Sequence, residues 1–360
     1  MKHTIWALRI IAGAVAMAWS LSAVAGALLC QAVFAPEVQF RPQDNGVTPK
    51  QVESFREVVN DVNSRLGKLQ APQNAEILIH SEHNAPFADQ IQKSITMGIR
   101  YSRTINGKTY QKAPSLALAI LAHEYGHLVF AENYLHREPL YAEGVSSLEK
   151  AKPFEKKFAE LELQKTSLAA QMKTFKEAGK PTPPEIIQRH TAVSTMMARV
   201  RDQIQDIKAD YRKVTAIKEP YDEFFADVVA VLYSGKADAI SKSIVFTRGL
   251  QASRLKGQAT QTLEQRDFEN RRHQNLDTRP HNFFSATRSA IWNSYLASPS
   301  LRNKHSGEIL EAVMDAITKE ISFKLKNPDV SFQKNWELLN SRLIEAIDQQ
   351  MASRGIAKIK

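Results

Sequence analysis

The stretch Leu116-Ala-Leu-Ala-Ile-Leu-Ala-His123-Glu124-Tyr125-Gly126-His127-Leu128-Val129-Phe130 decides how this chain folds. Its apolar residues lie on all sides of the helical period, so it reads as a helix buried in a core. Pro114 and Ser115 open that helix, and the pattern predicts that it runs to about Asn133. Charged groups do not belong in such a setting unless they are paired or bind a metal. His123 and His127 stand four residues apart, a little over one turn, so both imidazoles project from one face. Two neutral imidazoles at this spacing suit one tetrahedral zinc ion. Glu124, one residue on, falls beside the open position, where it is placed to act as general base toward an activated water. Gly126 costs about 1 kcal/mol against Ala in a helix interior, which predicts a close neighbour there.

A zinc site needs a third ligand. A third His six residues beyond His127 is excluded, because that position is Asn133; His136 is close but badly spaced. Two glutamates remain. Glu143 lies in Tyr141-Ala-Glu-Gly144. Glu223 lies in Tyr221-Asp-Glu-Phe-Phe-Ala-Asp-Val-Val-Ala230, a second apolar helix. Asp227 follows Glu223 by four residues on the same face. A carboxylate beside a metal-binding His can hold the other ring N–H. Glu223 as ligand with Asp227 behind it uses both acids, and is the preferred set.

Working outward, the chain reads as mainly α (α+β). Residues 37–75 begin as a linker with Pro42 and Pro49 and continue as a helix from about Lys50 to Leu69. Asn74 to His80 and Ser94 to Tyr101 are strand candidates, the second followed by an Asn106-Gly107 turn. In 147–217, Phe154, Phe158, Leu161, Leu168, Met172 and Phe175 fall at helical spacing. After the Pro-rich breaker 178–184 come Val193, Met197, Val200, Ile204, Ile207, Tyr211 and Val214. This predicts an inserted antiparallel helical hairpin with a narrow coiled-coil-like seam. The units expected are 1–36 as signal peptide or anchor, 37–146 and 218–300 as two parts of one catalytic core, 147–217 as the insertion, and 301–360 as C-terminal helices. Residues 255–285 read as polar and loop-like.

Lys2 and Arg9 precede a stretch from Ile10 to Pro36 that carries no charge. Ala23-Val24-Ala25 fits a signal-peptidase site. The same stretch is long enough to span a bilayer, which takes about 20 apolar residues. Either way the body is expected outside the cytoplasm, periplasmic or extracytoplasmic, with association to the inner membrane if the segment stays. The single Cys, Cys30, excludes a disulfide framework and any Cys-based metal site. The net charge of +10 comes from scattered residues, with no dense basic run and interleaved aromatics, so nucleic acid is not an expected partner.

His123-Glu124-Tyr125-Gly126-His127 with Glu223-Phe224-Phe225-Ala226-Asp227 resembles the gluzincin metallopeptidases. The chain is most similar to the CAAX-prenyl-protease-type family, with its HExGH and E-[FY]-x-A-D forms. Asn84-Ala85-Pro86-Phe87-Ala88, leading into Ile95-Thr-Met-Gly98, is similar to that family's N-A-x-A segment. The resemblance covers roughly 80–140 and 215–235. It implies a zincin-like core with a small antiparallel sheet, one zinc ion held by His123, His127 and Glu223, and hydrolysis of a protein or peptide with Glu124 as general base. It also implies a downstream His or Arg that holds the oxyanion and the acids; Arg279-Pro-His281, with Arg288, is the counterpart, and His281 the transition-state donor. The strand near Ile95–Tyr101 would receive extended substrate by strand addition. Two other readings stay open. One is an interaction protein working through a partner at the hairpin, about 150–215. The other is a zinc hydrolase acting on a cell-wall bond.

Overall fold

The computed structural model describes residues 38–82, 86–100, 102–105, 108–111, 114–241, 266–269, 280–332 and 334–359. The export or anchor segment, Asn84-Ala85, the Asn106-Gly107 turn and Arg279 lie outside these residues.

The chain opens with β1 (Gln39–Pro42), helix α1 (Pro49–Ser64) and β2 (Glu76–Glu82). Thr48 and Gln51 cap α1 reciprocally, which fixes where it starts. β3 (Phe87–Asp89) and β4 (Ser94–Arg100) complete a four-stranded sheet in the order β1-β2-β4-β3. The expected antiparallel sheet is corrected to a mixed one: β1, β2 and β4 are mutually parallel, and only β3 runs against β4. β3 returns the chain so that β4 runs parallel to β2, and α1 does the same for β1 and β2. A helix between β1 and β2 returns the chain to the same end of the sheet, so the two strands run the same way. β1 was hidden in the Pro-rich linker; its Pro42 is tolerated because β1 lies at an edge. A separate hairpin pairs β5 (Ser102–Ile105) with β6 (Lys108–Gln111).

Along β2 the buried residues alternate, whereas Ser94 to Gly98 of β4 are all buried. Ile77 and Ile79 stand opposite Ile95 and Met97, all wholly buried. On this layer lies α2 (Pro114–Leu135), the helix of the opening stretch. It is followed by α3 (Pro139–Glu177), α4 (Pro184–Ile207) and α5 (Ala209–Ser234). α5 ends at Gly235, whose φ of 68° is the left-handed turn a helix stop needs. A 3-10 turn (Pro280–Asn282), α6 (Ser285–Ile291), a π-helical turn (Trp292–Leu296), α7 (Pro299–Lys326) and α8 (Trp336–Ser353) close the main body.

α3 and α4 form the expected hairpin. Its seam, Leu161, Leu168, Val193, Met197 and Val200 with Phe154, Phe158, Ile186 and Ile204, is an apolar cluster separate from the main core. Tyr211 and Val214, read as part of that seam, instead pack on the main core from α5. The arm's roots are thus continuous with the body: α3 starts just after α2 ends, and only Lys208 separates α4 from α5. Within 255–285 the described residues 266–269 are turn and coil, with Arg266 and Phe268 buried in the body, and Pro280–Asn282 form a 3-10 turn. Among the described residues no helix is long and apolar enough to cross a membrane.

Candidate metal centre

The site forms where α2 crosses α5. Gly126 makes the crossing close: a Cβ there would stand 2.9 Å from Ala226 Cα and 3.2 Å from Val229 Cβ. The cost of a helical Gly is offset by bringing the two backbones together between the ligand residues. His123 and His127 face α5, and Glu223, three residues before Ala226, faces back.

The three side chains converge. His123 Nε2 lies 3.1 Å from His127 Nε2. Glu223 Oε2 is 3.5 Å from His123 Nε2, and its Oε1 is 3.6 Å from His127 Nε2. Ligands about 2.0–2.1 Å from a tetrahedral ion stand about 3.3 Å from one another, so the triangle has the size a metal needs. The group His123, His127 and Glu223 is positioned to bind a metal ion.

The chemistry of the donors gives an independent test of fit. His123 Nδ1 lies 3.0 Å from Asp227 Oδ1, and His127 Nδ1 lies 2.8 Å from Asp222 Oδ1. Each carboxylate holds the ring proton on Nδ1 and leaves Nε2 with its lone pair. At 3.1 Å the two Nε2 atoms share a proton or enclose a cation, and Arg266 Nη2 lies 3.3 Å from His123 Nε2. The carboxylates make a cation welcome. Burial disfavours a charged His127, but Asp222, Glu223 and Glu124 outweigh it and raise its pKa to about 10. Glu223 is opposed by burial as well, yet His127, the nearby His281, Arg266 and His123 hold its carboxyl far below the usual range.

Asp227 is wholly buried, and two guanidiniums clamp it. Arg266 bonds it through Nε at 3.2 Å and through Nη2. Arg288 bonds it through Nε at 2.8 Å and also donates to the His281 carbonyl at 3.1 Å. Burial alone would raise the Asp227 carboxyl; Arg266, Arg288 and His123 hold it well below its ordinary value. Arg266 Nη2 also reaches Glu223 Oε2 at 3.3 Å. Behind His127, Lys218 Nζ donates to Asp222 Oδ2 at 2.9 Å. Glu124 stands apart: it is buried, yet among the described residues none donates a hydrogen bond to its carboxylate.

His281 sits in the 3-10 turn with Nδ1 2.9 Å from Glu223 Oε2, off the hydrogen-bond axis, and its side chain is 45% exposed. Glu143 is exposed on α3, outside the cluster. Sequence reasoning missed Asp222, Lys218, Gln90 and Arg266. The first two carried a signal, since a Lys and an Asp four apart in an apolar helix ask to be paired. Gln90 and Arg266 reach the site from segments far away in the chain, and no local pattern marks them.

A scan against protein-family models, a search of the curated proteins and a search of the solved structures each found no match. The fold and site define a mainly helical protein with a buried His-His-Glu group positioned to bind a metal ion.

Proposed function

We propose that this chain is a zinc-dependent endopeptidase of the HExxH…E type, exported or held at a membrane by its N-terminal segment. The observation that carries the proposal is the two Nε2 atoms and the Glu223 carboxylate closing on one point, beside Glu124, to whose carboxylate none of the described residues donates a hydrogen bond. Two imidazoles and a carboxylate at tetrahedral spacing suit zinc. Bound there, zinc supplies Lewis acidity toward a carbonyl oxygen and lowers the pKa of water from about 15.7 to near 7.

The chain's own residues supply the rest. Glu124, with no protein donor among the described residues, accepts the proton of the attacking water and passes it to the leaving amine. Asp227 and Asp222 hold His123 and His127 in the tautomer that points Nε2 inward. Arg288 and Arg266 keep Asp227 ionised in a dry setting. His281, half-exposed beside Glu223, donates toward the oxygen where negative charge develops. β3 covers only the first residues of the strand expected to receive substrate, Ile95–Tyr101. β4 has a partner on both sides at 94–96, whereas β3 is the edge strand, and an extended peptide adds there.

The test is hydrolysis of a casein-like substrate by the full chain and by Glu124→Gln. The wild type should cleave and stop when a chelator is added. The variant should keep its zinc and lose at least about 100-fold in rate. Full activity in Glu124→Gln would refute the proposal.

A further inference from the structure

The buried cluster behind His127 has more parts than orientation of an imidazole requires. Lys218 is only 2% exposed, a cation taken fully out of water. Its Nζ bonds Asp222 Oδ2 at 2.9 Å and Gln90 Oε1 at 2.7 Å, and it sits over the rings of Phe130 and Tyr141. Gln90 closes the triangle by donating Nε2 to the same Asp222 Oδ2. Asp222 Oδ1 holds His127 Nδ1 at 2.8 Å. Gln90 is the residue directly after β3, so the end of the edge strand is bonded to the support of a metal ligand.

We propose that Lys218 and Gln90 are positioning residues for His127, and that Gln90 ties the edge strand β3 to the metal centre. Lys218 neutralises Asp222, so that the carboxylate keeps its charge in a buried place. Gln90 fixes the outer oxygen of Asp222, which leaves Oδ1 aimed at the ring. Displacement of β3 is thereby transmitted through Gln90 and Asp222 to His127. A peptide that pairs with β3 steadies this chain of bonds; that part rests on the peptidase reading above. The other explanation is that the triangle only compensates a buried Lys. In that case its loss lowers stability but leaves the metal-binding geometry of the folded protein alone.

Three variants of the full chain separate the two explanations: Gln90→Leu, which keeps bulk and removes both bonds; Gln90→Glu, which turns a carboxylate toward Asp222; and Lys218→Met. Affinity for zinc ion alone is read by competition with a chromophoric chelator, and melting temperature is read beside it. Support for an imidazole ligand is worth about 10–100-fold in affinity. Gln90→Leu should lose about tenfold in zinc affinity, and Gln90→Glu should lose a similar amount, because it keeps the Lys218 contact but no longer donates to Asp222 and draws Lys218 away from it. At saturating zinc, Gln90→Leu should lower kcat for long peptides by about tenfold and shift KM little. Lys218→Met should lose zinc affinity as well. If it does not fold, the two Gln90 variants decide, because Gln90 is only partly buried. Zinc affinities within about twofold of wild type in folded Gln90 variants would overturn the inference while the peptidase reading stands. Loss of zinc affinity in a protein that cleaves no peptide would uphold the inference and sink that reading. A full chain that binds no zinc would overturn both.

Discussion

The body around the His-His-Glu group and the α3–α4 arm use burial in opposite ways. Around the crossing of α2 and α5 the chain buries Glu124, Asp222, Glu223 and Asp227 together with Lys218, Arg266 and Arg288. All but Glu124 have a partner among the described residues. The arm buries only aliphatic and thioether side chains along a thin seam and leaves its Lys and Glu residues in water. Burying charge is costly unless geometry repays it, so the body's arrangement implies a purpose beyond stability. The arm's arrangement is what two helices need to stay together.

That contrast predicts graded effects. The largest belongs to Arg288→Met. It removes one of the two guanidiniums on wholly buried Asp227, and breaking such a pair costs about 3–5 kcal/mol. Denaturant unfolding should show it, and a loss under about 1 kcal/mol would erase the distinction drawn here between body and arm. Next comes Gly126→Val. The added atoms meet Ala226 and Val229, and overpacking of this kind costs about 1–3 kcal/mol. It should also weaken zinc binding, because Glu223 rides on the helix that is pushed away.

Leu168→Ala in the arm should act locally. Proteolysis near the arm's tip should quicken, while zinc affinity and cleavage of short peptides stay at wild-type values. A change in zinc affinity would show the arm to be coupled to the site through its roots on α2 and α5. The smallest effect is expected from Lys152→Ala, which removes an exposed ion pair with Glu149; melting temperature should not move measurably.

Much of this was legible before any coordinates. Spacing of four and an apolar setting placed His123 and His127 on one buried face, and two acids in a second apolar helix singled out Glu223 and Asp227. The arm's seam showed in the recurrence of Phe154, Phe158 and Leu161. What was not legible depended on contacts across the chain. The sense of the sheet turned on β1, a mostly exposed strand of four residues in a Pro-rich stretch, and on β3, a strand of three residues that lets β2 and β4 run parallel. Arg266 looked like one more polar residue because its partner, Asp227, lies on another element. Gln90 carried no local sign of its partners Lys218 and Asp222.

The most direct measurement is metal analysis of the purified full chain beside His123→Ala and Glu223→Ala. The proposal predicts about one zinc per wild-type chain and loss of it in both variants, with the fold retained by circular dichroism. Zinc retained at wild-type affinity by folded Glu223→Ala would contradict a site closed by α5.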